Sequence, residues 1–130
     1  IQIDGFLQPA ILEQVLADVE FRRNADEHYN NNQEKLRYLY HPDNLPAHTC
    51  NLFRFFNSRA FTVFLEKLTG IRGLITDPMF VGAGVHETKT GGHLDIHADF
   101  NFHGALRVER RINVLIYLNH GWERAFGGSF

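Results

Sequence analysis

A chain of 130 residues, 44% hydrophobic and carrying twelve Phe, suffices for one domain, or part of one, with a packed core. A net charge of -2, with no basic run beyond the doublets Arg22-Arg23 and Arg110-Arg111, argues against nucleic-acid or anionic-membrane binding driven by bulk electrostatics. The single cysteine, Cys50, excludes an internal disulfide framework and suits the reducing cytoplasm, and no apolar stretch approaches transmembrane length.

In chain order, the first element expected is a helix over Pro9–Phe21. Pro9 suits a first helical turn, and Leu12, Val15, Leu16 and Val19 repeat at helical spacing. Arg22 to His48 is a polar stretch interrupted by Pro42 and Pro46. Within it Glu34–Tyr40 fits a short helix or a strand equally well. Asn57 or Ser58 caps a second helix that ends at Gly70 and carries Phe61, Phe64, Leu65 and Leu68 on one face. The period then switches, and Leu74–Ile75, Met79–His86, His93–Asp99 and Arg111–Asn119 read as successive strands. Asp77-Pro78, Gly91-Gly92 and Gly104 separate them. Helices followed by strands predict an α+β domain with helices packed on an antiparallel sheet. The start at Ile1 without methionine, and the finish at Gly127-Gly128-Ser129-Phe130 where a further strand would begin, suggest a fragment at both ends.

Chemistry concentrates in Gly91-Gly92-His93-Leu94-Asp95-Ile96-His97-Ala98-Asp99-Phe100-Asn101, which holds two overlapping His-x-Asp pairs. On a strand, His93, Asp95, His97 and Asp99 would face the same way, with successive members about 7 Å apart. A histidine and a carboxylate so placed supply two ligands of a 2-His-1-carboxylate triad, which holds one face of an octahedral Fe(II) and leaves the other open. A closed zinc site would want four ligands, often cysteines, and there is one cysteine. A third copy, His41-Pro42-Asp43, lies in a proline-containing loop and reads as a solvated turn.

From Leu68-Thr69-Gly70-Ile71 to Phe130 the chain resembles the Fe(II)/2-oxoglutarate-dependent oxygenases, specifically their bacterial prolyl-4-hydroxylase-like branch. The resemblance rests on several stretches in order. They are Gly84 through His86, then Gly91-Gly92-His93-Leu94 before His97-Ala98-Asp99-Phe100-Asn101, then Arg110-Arg111-Ile112-Asn113, Ile116-Tyr117-Leu118-Asn119, Trp122 and Gly127-Gly128. It implies helices packed on a partial double-stranded β-helix, or jelly-roll barrel. Residues 1–73 would be helical support and polar loop, and residues 74–130 the first half of the barrel.

The resemblance also implies Fe(II) as metal, 2-oxoglutarate as cosubstrate, dioxygen as oxidant and ascorbate as an accessory reductant. The substrate would be a small molecule or a peptidyl group; it is the acidic balance of the chain that argues against a nucleic acid, and the lack of a long apolar stretch that argues against a membrane. His97 and Asp99 match the metal positions. His93 and Asp95 fall just before them, at a polar strand start or in a supporting role. Tyr117 matches a position whose hydroxyl reaches 2-oxoglutarate, Asn113 would share its strand face, and His86 is a further candidate for the cosubstrate or substrate wall. The family takes a second histidine, and a basic residue for the distal carboxylate of 2-oxoglutarate, from later strands. Neither His103 nor His120 matches that position, which places both residues beyond Phe130. A non-catalytic binding module on the same barrel is the alternative.

Overall fold

The fold is known from a computed structural model that describes residues 1–128. It is α+β, and the chain divides into two compact units, Ile1–Asp99 and Phe100–Phe130. The first unit contains α1 (Pro9–Phe21), β1 (Glu27–Tyr29), β2 (Glu34–Tyr40), α2 (Ala47–Phe56), α3 (Arg59–Thr69) and β3 (Val85–Leu94). The second contains the short strands β4 (Phe102–His103) and β5 (Val108–Glu109) and a 3-10 turn at Arg124–Phe126. Among the described residues no sheet closes into a barrel, and no helix is long and apolar enough to cross a membrane.

The helix α1 keeps its expected bounds, with Pro9 in the first turn and Val15 buried. Asp18, on the same helix, is buried as well. Its carboxylate accepts from the Thr49 backbone N–H (3.1 Å) and hydroxyl (2.6 Å), while Gln14 donates to its other oxygen at 3.0 Å. Pro46, at the N-cap of α2, makes no side-chain cap bond, so Asp18 supplies from another helix an acceptor that α2 lacks locally. Ser58 caps α3 by accepting from the Phe61 N–H at 3.3 Å, and Gly70 ends it in the left-handed conformation. Only Phe61 of the expected apolar face is fully buried, in an aromatic cluster with Phe6, Phe55, Phe56 and Phe64.

The polar stretch after α1 is ordered by Asp26. Its carboxylate accepts from Arg22 (2.7 Å), the Asn44 amide (2.9 Å) and the His41 backbone N–H (2.7 Å). Here β1 and β2 form a hairpin closed by Asn31, whose side-chain oxygen accepts from the Gln33 and Glu34 N–H groups. This settles Glu34–Tyr40 as a strand. β2 is the middle strand of an antiparallel sheet ordered β1-β2-β3, and Leu39 and Tyr40 enter the core.

Several strand expectations are corrected. Residues 74–84 form a loop, because side chains supply the partners a ladder would otherwise provide. Asp77 accepts from Met79 and Val81 N–H groups, Glu66 from Leu74 N–H, and Asn57 donates to the Asp77 carbonyl. Gly91-Gly92 is no separator but lies inside β3, where four residues (89–92) oppose Leu36 alone, between the Lys35–His93 and Arg37–Thr88 pairs. Gly91 has φ +80° there. A Cβ on Gly92 would lie 2.5 Å from the Lys35 carbonyl oxygen, so only glycine fits. The strand expected over His93–Asp99 ends at Leu94. Residues 111–119 form no regular strand, since no segment among the described residues pairs with them.

Candidate metal centre

The backbone brings the His-x-Asp segment to the end of β3. The Asp95 N–H donates to the Gln33 carbonyl at 2.9 Å, one step beyond the last pair Glu34–Leu94, and the chain then leaves the ladder. The Asp95 carbonyl lies 2.8 Å from His97 Nδ1. A carbonyl only accepts, so Nδ1 carries the proton and the neutral ring has its lone pair at Nε2. His97 Nε2 is 3.3 Å from Asp99 Oδ1. Two lone-pair-bearing atoms at that distance repel unless a proton or a metal ion lies between them. Cis ligands about 2.1 Å from an octahedral metal lie about 3 Å apart, so the pair is spaced as two neighbouring ligands would be.

The preceding pair is looser. His93 Nε2 and Asp95 Oδ1 are 3.8 Å apart, and the two side chains are 48% and 62% exposed, against 33% and 45% for His97 and Asp99. Water competes strongly for such a contact. His97 and Asp99 therefore fit two positions of a facial triad. Among the described residues no group of three or more His, Cys, Asp or Glu is gathered to hold an ion.

His86 lies near the start of β3, opposite Leu39. Strand register puts Glu27, Tyr29, Arg37, Leu39, His86 and Thr88 on one face of the sheet. Polar contacts run across it. Glu27 accepts from the Tyr29 hydroxyl and faces His41 Nε2 at 2.7 Å. The Arg37 guanidinium lies 5.6 Å from the Tyr29 ring centroid, pairs with Glu34, and puts Nη2 2.7 Å from His86 Nδ1. His86 is an exposed residue, yet the protein packed around it shifts its pKa downward. The Arg37 charge lowers it further, and Glu34, Asp99 and Glu27 oppose the shift. Arg37 escapes motif reading. The alternating apolar and aromatic character of Leu36, Tyr38 and Tyr40 was the available hint that a strand carries it.

The other cosubstrate candidates lie in the second unit. Tyr117 is about half exposed (52%), and its hydroxyl donates to the Gly128 carbonyl at 3.2 Å. Trp122 Nε1 donates to the neighbouring Gly127 carbonyl at 2.9 Å, so both aromatic side chains bond to the Gly127-Gly128 backbone. Asn113 is exposed within 111–119. Comparison with family models, curated proteins and solved structures finds no match.

Proposed function

We propose that this chain carries the first part of an Fe(II)- and 2-oxoglutarate-dependent dioxygenase of the prolyl-4-hydroxylase-like branch. The double-stranded β-helix would be the fold of the complete domain, and the cytoplasm its compartment. The observation that carries the proposal is the His97–Asp99 pair, with Nδ1 tied to a backbone carbonyl and Nε2 turned to the carboxylate at 3.3 Å. Outer contacts that fix the tautomer of a ligating histidine in this way raise its basicity toward a metal. The motif order from Gly84 to Gly128 supports the same reading.

In this reading His97 Nε2 and an Asp99 oxygen would hold Fe(II) as two ligands of the triad. When bound, Fe(II) couples oxidative decarboxylation of 2-oxoglutarate by dioxygen to hydroxylation of a substrate C–H bond. The chain's own part is orientation. The Asp95 carbonyl would align His97, and His86 is our candidate for the cosubstrate or substrate wall. The substrate class is a small molecule or peptidyl group, with ascorbate as an accessory reductant.

The test is succinate release from 2-oxoglutarate by the complete domain with Fe(II), with and without candidate substrates. Turnover in the native protein and at least a hundredfold loss in His97→Ala and Asp99→Ala are expected. Iron-independent behaviour, or no turnover coupled or uncoupled, would sink the proposal and favour a non-catalytic binding module on the same fold.

A further inference from the structure

Arg37 contacts His86 through a nitrogen that can only donate. A guanidinium has no acceptor and keeps its charge at any physiological pH, so at 2.7 Å His86 Nδ1 must turn its lone pair toward Arg37 Nη2. An Nδ1–H there would set one N–H against another. In the neutral ring the proton then sits on Nε2.

The guanidinium is itself held. Nη1 pairs with Glu34, the Tyr29 ring lies beside the cation, and the Arg37 and Glu34 side chains are only 18% and 17% exposed. A planar fork engages two partners in fixed directions, whereas a lysine ammonium on a flexible stem does not.

We propose that Arg37 is a positioning residue that locks His86 as its Nε2–H tautomer. Nε2–H then becomes the atom this face of the sheet offers to an oxygen acceptor, a carboxylate or carbonyl of the bound ligand. The ligand half of this statement rests on the oxygenase reading, in which His86 lines the cosubstrate or substrate. The tautomer does not, and it can be read without iron, cosubstrate or turnover.

The experiment is a long-range proton–nitrogen correlation spectrum of the full chain labelled with 15N-histidine at pH 7.5, with His86 assigned by its loss in His86→Phe. In the native protein Nδ1 should give an acceptor-type and Nε2 a protonated-type shift. In Arg37→Lys, which keeps a cation beside Glu34, and in Arg37→Met, both nitrogens should move to averaged shifts. An averaged or Nδ1-protonated ring in the native chain overturns the proposal. So does a lock that survives in Arg37→Lys, since the fixed fork of the guanidinium would then not be what places the proton. Should Arg37→Met fail to fold, the native and Arg37→Lys spectra decide the matter.

Discussion

The carbonyl of Asp95 separates the two nitrogens of His97, taking the proton-bearing one and leaving the other to face Asp99. The spacing of that pair is visible in the sequence, but the alternation of a strand face is not what brings its members together. The observed cause is a chain that leaves β3 at Leu94 and turns a carbonyl back on the ring. Arg37 was not legible, because its significance depends on a histidine that only the sheet register brings beside it. Other residue-scale consequences concern the carboxylates of Asp18, which is buried, and Asp26, which is half-buried. Burial raises the Asp18 pKa, but bonds from Thr49 and Gln14 outweigh it and hold the group below its ordinary value. Asp26 is likewise held low, against burial, by His41, Arg22 and Asn44. A depressed carboxylate stabilises the fold above its unfolded pKa of about 3.9 and loses that contribution as pH falls through the folded value. Stability should therefore decline below about pH 4, and the acid limb of a urea-midpoint-against-pH curve should be shallower in Asp26→Asn. Asp18→Ala also strands the Thr49 N–H and hydroxyl, on a residue with no exposed surface. It should cost about 2–3 kcal/mol in urea unfolding at pH 7.

Among the elements, the irregular stretch of β3 gives the sharpest contrast between neighbours. Alanine at Gly92 would collide with the Lys35 and Lys89 carbonyls and the Thr88 methyl, whereas at Gly91 the space is open and only the left-handed φ is strained. Gly91→Ala should cost about 1–2 kcal/mol. Gly92→Ala should cost more, because backbone must shift to admit the methyl, and denaturant midpoints of the two variants report the order. The helices α1 and α3 were legible because periodicity and caps agree. Helix α2 was missed, since Pro46 gives no side-chain cap and the acceptor comes from Asp18 in a different helix. Glu34–Tyr40 stayed ambiguous until β1 and β3 flanked it. Gly91-Gly92 was misread because a bulge and a turn use glycine for the same backbone reason.

For the molecule as a whole, the α+β class followed from the switch between helical and alternating periods. Strand order did not, because the polar segment between α1 and α2 supplies two of the three strands in the larger sheet. Residues 111–119 have strand composition, yet Val114, Leu115, Ile116 and Tyr117 are between 40% and 52% exposed. Composition favours a strand only where a partner exists to complete the ladder. Amide exchange should accordingly be faster across 111–119 than across β2, whose strand is paired on both sides. Equal protection of the two segments would show that 111–119 finds ladder partners.

Metal binding at the His97–Asp99 pair is tested most directly by Mn(II) titration of the full chain, followed by paramagnetic broadening of individual amide and side-chain signals. The signals of His97 and Asp99 should broaden first. His97→Ala should weaken the effect by at least about tenfold, the lower bound known for losing a mere outer-shell partner, and His93→Ala should leave it unchanged. Broadening centred elsewhere, or equal loss in the two histidine variants, would contradict the assignment.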